Sequence, residues 1–198
     1  MNAKRSVNGI LILSAMILAS VAAFGQGSLA APTLPGKGVA GPDHNTQHSF
    51  ADQAFVKLVL ERAAADTQLG QLAQQKSQSP DIKDLGEKLV ENRAALDLQF
   101  KTLAQTLDVG PPKGLSKKDS QLIAKLTGLS GTQFDEEFLM ATAKSNREHL
   151  KNFQAESQTA EDPNLQRAAA QDVTVVSTFF NAIEEAAKAH NVALDYKK

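Results

Sequence analysis

The stretch that decides the fold is residues 81–107, DIKDLGEKLVENRAALDLQFKTLAQTL. Three leucines in it, Leu89, Leu96 and Leu103, recur every seven residues. The neighbouring row on a helix contains Gly86, Arg93, Phe100 and Leu107. The two rows together predict one long amphipathic helix whose apolar seam has an arginine set into it. A seam of this length needs other helices to cover it.

The chain on both sides of this stretch supplies such helices. Ser49 followed by Asp52 resembles a capping box, and it begins a helix that we expect to end near Lys76. A short loop then leads to Pro80, where the seam helix opens, so these two helices should be antiparallel neighbours. A break rich in glycine and proline follows at residues 108–115.

Three more helices are predicted after the break. A short one runs from Ser116 to Gly128 and is expected to cross one end of the bundle as a lid. A third long helix begins at Thr132, and a fourth begins at Asp162 and Pro163, which suit the N-cap and first-turn positions. Four long amphipathic helices and one longer crossover predict an all-α, antiparallel four-helix bundle.

Composition narrows the classes of function. The chain has 198 residues, with 42% hydrophobic residues and no cysteine, which fits one helical domain with a real core. The absence of cysteine excludes disulfides, thiolate metal sites, thiol catalysis and a lipidated N-terminal cysteine. The formal net charge is −1 with both signs interspersed, so no basic stripe indicates a nucleic-acid partner.

The N-terminus carries the pattern of a secretory signal. Lys4 and Arg5 precede an apolar run over residues 10–24, and small residues follow. We predict a signal-peptide helix over residues 1–25, with cleavage after Gly25 or after Ala30. The alternative is that this helix is retained as an N-terminal anchor. No later segment is long enough to span a membrane, so we expect no transmembrane helix in the mature chain.

The predicted domain boundaries follow from these signals. Residues 26–48 are rich in glycine and proline and are interpreted as a flexible linker. Residues 49–194 form the four-helix-bundle domain, and residues 195–198 form a C-terminal tail. The expected location is periplasmic or secreted, with outer-membrane association as a further option.

Several short motifs resemble the bacterial domain of unknown function family 4142. They are Leu69-Gly70-Gln71-Leu72-Ala73, Ser79, Ile82-Lys83, Leu89-Val90, Phe134-Asp135 with Phe138, and Asp162-Pro163-Asn164-Leu165. The resemblance covers roughly residues 49–190. It implies a ferritin-like four-helix bundle of the kind labelled as an exported or outer-membrane protein, and it brings no established activity.

The departures from the family pattern concern its polar positions. Members commonly hold a Glu late in the first helix and a His in each of the next three long helices. Those positions hold Asp66, Arg93, Asn146 and Phe179 in this chain. The carboxylate role can pass to Asp66, but none of the three imidazoles is matched.

A ferritin-like di-metal oxidase is therefore poorly supported. Such a site needs a Glu-x-x-His motif on two helices, and the sequence contains none. His149 and His190 are interpreted as surface or helix-end residues, and Glu87 with Glu91 as part of a solvated face. We predict no catalytic residue, no cofactor and no metal ligand.

The remaining candidate is an interior polar cluster of Asp66, Arg93 and Asn146. A buried guanidinium needs a carboxylate or carbonyl partner, and Asp66 is the leading candidate, with Asn146 able to add a neutral hydrogen bond. The cluster is interpreted as a structural ion pair that fixes helix register. Two alternatives are an Arg93 that extends to the surface and a site for a small anionic ligand at Arg93.

Taken together, the sequence predicts an exported helical bundle of unknown activity. We expect a non-enzymatic structural, binding or stress-related protein of the cell envelope, with an unidentified envelope partner or a small anionic ligand. The alternative is a ferritin-like metal-binding or redox protein with a non-standard ligand set.

Overall fold

A computed structural model describes residues 48–195, and within that range every regular element is helical. The five helices are α1 (Phe50–Lys76), α2 (Pro80–Thr106), α3 (Lys117–Thr127), α4 (Gly131–Thr159) and α5 (Pro163–Ala189). The all-α helical bundle with a short crossover helix is thus confirmed. The predicted signal peptide, both cleavage sites, and the linker up to residue 47 lie outside the described residues, as do residues 196–198 of the predicted tail.

The four long helices form a bundle in which all neighbours are antiparallel. α1 packs on α2, α2 on α5, α5 on α4 and α4 on α1. The ring centroids of Phe55, near the start of α1, and Phe153, near the end of α4, are 5.2 Å apart. α1 and α5 therefore run in one direction, and α2 and α4 run in the other. Because α2 and α4 are parallel, the chain between them must return along the whole bundle.

That return is made by residues 107–130, and α3 lies lengthwise along α1 and α4. Its first turn contacts the middle of α1 through Asp119 and Arg62, and its last carbonyl, that of Thr127, accepts a hydrogen bond from Lys76 at 2.6 Å. The prediction that α3 crosses one end of the bundle as a lid is therefore wrong. The loop before α3 already takes the chain part of the way along the bundle. The apolar side of α3, including Leu126, therefore faces α1 and α4 and not the end of the bundle.

The apolar core is divided into two clusters. The first lies where α1 begins and α4 ends and is built around Phe55, Phe100, Phe153 and Leu165. The second lies where α1 ends and α4 begins and is built around Leu69, Leu89, Phe134, Phe138 and Ile183. The seam leucines of α2 contribute to both clusters, as their heptad spacing predicts. Polar side chains lie between the clusters.

Two glycines bring α1 and α2 into close contact. A Cβ atom on Gly70 would lie 2.5 Å from the carbonyl oxygen of Gly86, and one on Gly86 would lie 2.6 Å from the carbonyl oxygen of Gly70. No real side chain tolerates such distances, so the two helices cross at a point where only glycine fits. This crossing fixes the register that aligns Asp66 of α1 with Arg93 of α2.

The helix starts agree with the sequence in part. The Asp162 carboxylate accepts the N–H groups of Asn164 and Leu165, as expected of an N-cap. The capping box predicted at Ser49 is wrong, because Ser49 makes no side-chain cap and Asp52 instead binds the loop between α4 and α5. The helix predicted from Thr132 begins at Gly131. Over residues 48–195, no helix combines the length and apolar character needed to cross a membrane.

Candidate functional site

Four buried polar side chains lie between the two apolar clusters. Asp66 comes from α1, Arg93 from α2, and Asn146 and His149 come from α4. Their exposed fractions are 1%, 3%, 1% and 8% in that order. Arg93 occupies a core position of α2, since the core residues Leu89 and Leu96 lie one turn before and one turn after it. The bundle therefore has a polar layer near its middle, which we call the central layer.

An ion pair between Asp66 and Arg93 is the centre of this layer. The Nε atom of Arg93 lies 2.8 Å from the Oδ2 atom of Asp66. Neither atom has a well-directed hydrogen bond, so the contact is mainly electrostatic. Arg93 does not reach the surface. A lone guanidinium at this depth would be very costly, so the Asp66 carboxylate is what makes a buried Arg93 tolerable.

His149 completes the layer as a neutral side chain. Its Nδ1 atom lies 2.7 Å from Nη2 of Arg93. Because a guanidinium can only donate, Nδ1 must accept and the ring proton resides on Nε2. Burial, followed by the charges of Arg93 and Arg62, holds the pKa of His149 well below its usual value. The interpretation of His149 as a surface or helix-end residue is therefore wrong, because α4 rotates this position into the core.

A second arginine connects the central layer to α3. The Nε atom of Arg62, one turn before Asp66, lies 4.0 Å from Oδ1 of Asp66. Its Nη1 atom donates to Oδ1 of Asp119 at 2.7 Å, and its other nitrogens donate to the Ser145 hydroxyl. Ser116, the N-cap of α3, donates to Oδ2 of the same Asp119 at 2.6 Å. The crossover helix is thereby attached to the bundle through charged groups.

Asn146 is buried in the layer but does not bond to the ion pair. Its amide donates to the carbonyl of Thr142 in its own helix at 3.2 Å, and among the described residues it forms no hydrogen bond with Arg93. Arg93, Asn146 and Phe179 nevertheless line one cavity of about 10 Å³. That is about the volume available to a single water molecule, so the three positions converge but leave no room for a larger ligand.

Asp172 of α5 adds a further carboxyl group one turn from the central layer. Burial raises its pKa to about 6, and the charge of Arg93 opposes this rise. Its Oδ2 atom has no hydrogen-bond partner. At pH 7 this carboxyl group is therefore mostly ionised, and it takes up a proton as the solution becomes mildly acidic.

The other candidates from the sequence lie away from the layer. His190 caps the end of α5 and contacts Asp81 at 2.8 Å, which confirms its helix-end position. Glu87 and Glu91 are exposed, which confirms a solvated face. Within the part of the chain that the structure describes, no group of three or more His, Cys, Asp or Glu side chains is arranged to hold a metal ion.

Three side chains of the network, Arg62, Ser145 and His149, were absent from the sequence-based cluster. Helix spacing contains a signal for two of them, Arg62 and His149. Arg62 precedes Asp66 by four residues, and His149 follows Asn146 by three, so each shares a helix face with a predicted member. The rotation of α4 about its own axis, which periodicity fixes only coarsely, decides that both His149 and Ser145 point inward.

Comparison with known proteins gives a family and a fold. A family model described as "Domain of unknown function (DUF4142)" matches residues 37–186. A DUF305 protein from Streptomyces coelicolor, provisionally described as secreted, has a similar structure, with a TM-score of 0.64 and 12% identity over 74% of this chain and 96% of that one. A DUF305 fragment from Deinococcus radiodurans has a TM-score of 0.64 and 15% identity over 72% of this chain and 98% of that one.

No protein with a curated description matches the chain in sequence. At identities this low, the two solved structures show the helical-bundle fold and nothing of the chemistry. The ferritin-like label and the outer-membrane association stay predictions.

Proposed function

Since the chain belongs to the DUF4142 family, whose name carries no activity, we propose a function from its own geometry: an exported, non-catalytic helical bundle that acts by binding a partner in the cell envelope. The role served by that binding is structural or stress-related. The central layer is a structural feature that sets helix register, and the partner binds on the outer surface of the bundle.

The observation that carries the proposal is the closed state of the central layer. The charge of Arg93 is met by Asp66, its Nη2 atom is bonded to a neutral His149, and the layer is almost fully buried. The two cavities that Arg93 lines have volumes of about 10 Å³ each. A substrate pocket is typically ~300–1,000 Å³, so the middle of the bundle is too full to admit a substrate.

Export is supported by two independent observations. The first 25 residues have the charged, apolar and small-residue segments of a secretory signal. One structural neighbour is provisionally described as secreted. The proposed location is the periplasm or the medium.

Binding of a small anionic ligand at Arg93 is less well supported than binding of a partner on the outer surface. Such a ligand would have to replace Asp66 on a guanidinium that is only 3% exposed. Replacement would leave the Asp66 carboxylate buried with Arg62 at 4.0 Å as its closest remaining cation. The energetic cost of that exchange favours a surface partner.

The rival function is a metal-binding or redox protein, and one distance favours it. Oδ2 of Asp66 and Nδ1 of His149 are 3.9 Å apart and both face Arg93. A carboxylate and an imidazole in this arrangement are suitable donors for iron or manganese. The guanidinium of Arg93 lies between them, which is why this function ranks second.

Elemental analysis of the full-length protein, purified without an affinity tag, separates the two functions. We expect only substoichiometric iron and manganese, and equal amounts in the wild type, Asp66→Ala and the half-buried control Asp97→Ala, which lies outside the central layer. Stoichiometric metal that is lost in Asp66→Ala and kept in Asp97→Ala would establish the rival function instead.

Cell fractionation tests the export and the surface partner. With its native N-terminus the protein should appear in the periplasm or medium, shortened by roughly the predicted signal length. Arg93→Met combined with Asp66→Leu should leave this distribution unchanged, since the partner is proposed to contact the surface. Retention of the full-length chain in the cytoplasm would contradict the proposal.

A further inference from the structure

One end of the bundle contains a buried acidic side chain that holds a loop in place. Asp52, in the first turn of α1, is 2% exposed. Its Oδ2 atom accepts the backbone N–H of Asp162 at 2.8 Å, and its Oδ1 atom accepts the backbone N–H of Glu161 at 3.2 Å. A single carboxylate therefore ties the start of α1 to the loop between α4 and α5. Both of its oxygens are used in this way.

A second carboxyl group, one turn before this loop in α4, has a buried oxygen without a hydrogen-bond partner. Glu156, in the last turns of α4, is 9% exposed, and its Oε1 atom is buried and unbonded. Burial, followed by the charge of Asp52, raises the pKa of Glu156 to about 7. The side chain therefore changes its protonation state close to neutral pH.

The other charged groups at this end are turned elsewhere. The Asp162 carboxylate caps α5, and Glu161, whose N–H binds Asp52, is exposed. Asp108, after α2, is exposed and lies 4.0 Å from His48. Asp52 is the charged group whose field acts on Glu156. Within residues 48–195, neither Asp52 nor Glu156 forms a salt bridge with a cation.

We propose that Asp52 and Glu156 form a proton-operated latch that controls how firmly the loop between α4 and α5 is held on α1. With Glu156 protonated, its O–H can donate to the Asp52 carboxylate, whose remaining lone pairs hold the two loop N–H groups. When Glu156 loses that proton to solvent, two carboxylates face each other in a buried place. Their repulsion separates Glu156 from Asp52 and loosens the loop.

The latch covers the aromatic part of the core. Phe55 lies one turn after Asp52, and Phe153 lies one turn before Glu156. These rings pack edge to face with each other and with Phe100, at centroid distances of 5.2–6.0 Å. Loosening of the latch therefore gives solvent or a partner access to three phenylalanines. Acidification has the opposite effect and closes this end.

Hydrogen exchange of the full-length protein tests the latch at the two amides that it holds. Protection factors of the Glu161 and Asp162 N–H groups, corrected for the intrinsic pH dependence of exchange, should fall about tenfold or more between pH 5.5 and pH 8.5. Glu156→Gln, which keeps a donor and cannot ionise, should stay protected at both pH values. Glu136→Gln, an exposed change on the same helix, should behave as the wild type does.

Two results would overturn the latch. One is equal protection of both amides at pH 5.5 and pH 8.5 in the wild type, with circular dichroism showing that the bundle is folded. The other is a pH-dependent loss in Glu156→Gln that matches the wild type. A carboxyl carbon titration of Glu156 by NMR gives an independent readout, with a midpoint near 7 expected and a midpoint near the ordinary 4.5 contradicting the proposal.

Discussion

The middle of the bundle and the end that holds Asp52 both bury charged side chains, but with opposite arrangements. In the central layer, a guanidinium and a carboxylate neutralise each other, and the histidine beside them stays neutral. At the end, two carboxyl groups share a buried place, and one of them holds a proton near neutral pH. In both regions burial is the largest cause of the pKa shift, and the neighbouring charge adds to it, from Arg93 beside His149 and from Asp52 beside Glu156.

The two regions should respond to acid with opposite signs. The pKa of Glu156 is raised in the folded state, so its ionised form costs stability above about pH 7, and this cost disappears as the pH falls toward 4.5. The pKa of His149 is lowered in the folded state, so stability decreases as the pH falls below the unfolded value of 6.5. The comparison can be tested by changing one region at a time.

The largest effect is expected from breaking the central ion pair. Arg93→Ala leaves Asp66 buried without its nearest cation, and we expect the free energy of unfolding to fall by about 3–5 kcal/mol. Chemical denaturation at pH 7 measures this difference. A loss below about 1 kcal/mol would mean that Arg62, 4.0 Å from Asp66, already neutralises the carboxylate.

Removing both partners of the pair should have a different result from removing one. Asp66→Leu combined with Arg93→Met replaces the charges with apolar groups of similar length, and we expect a stability between unchanged and about 4 kcal/mol higher than the wild type. The measurement is the same denaturation experiment. A double variant as unstable as Arg93→Ala would show that His149 and Arg62 depend on the pair for more than charge balance.

Acid sensitivity of the central layer should depend on His149. In His149→Gln the amide oxygen can accept a hydrogen bond from Arg93, but the side chain cannot become charged. Any other effect of the substitution on the free energy of unfolding should be the same at each pH. Relative to this variant, the wild type should lose about 1 kcal/mol between pH 6.5 and pH 5.5. Parallel stability curves over this range would show that His149 takes up a proton in the folded state.

The end pair should produce a smaller effect of the opposite sign. Glu156→Gln should raise the midpoint of thermal unfolding above that of the wild type by about 3 °C at pH 8, because the variant buries no charge beside Asp52. This advantage should disappear near pH 4.5. An advantage that is constant with pH would assign it to packing and not to ionisation.

The smallest effect is expected from breaking an ion pair on the surface of the bundle. Lys101 lies 2.6 Å from Asp97, one turn apart on α2, and the lysine side chain is 63% exposed. Lys101→Ala should change the free energy of unfolding by less than about 0.5 kcal/mol, since solvent screens the pair. A cost comparable to that of Arg93→Ala would remove burial as the explanation of the first prediction.

Much of the fold was predictable because helix periodicity is a local property. The heptad leucines of α2, the proline and aspartate at the start of α5, and the glycine and proline break after α2 each identify an element from a few neighbouring residues. The capping box at Ser49 was predicted by the same local reasoning and is wrong, because Asp52 finds two loop N–H groups 109 and 110 residues away along the chain. Local patterns cannot weigh such a distant competitor.

The sequence by itself determined that this protein is a bundle of four long helices with a charged residue at a core position of α2, since both follow from residue spacing within single helices. Only the tertiary structure decided that α3 lies along the bundle, that His149 faces inward and that Asp52 binds the loop between α4 and α5. These depend on how each helix rotates about its axis and where it crosses its neighbour. The contact of Gly70 with Gly86 sets one such crossing. Contacts between helices of this kind leave no periodic pattern in the sequence of either helix alone.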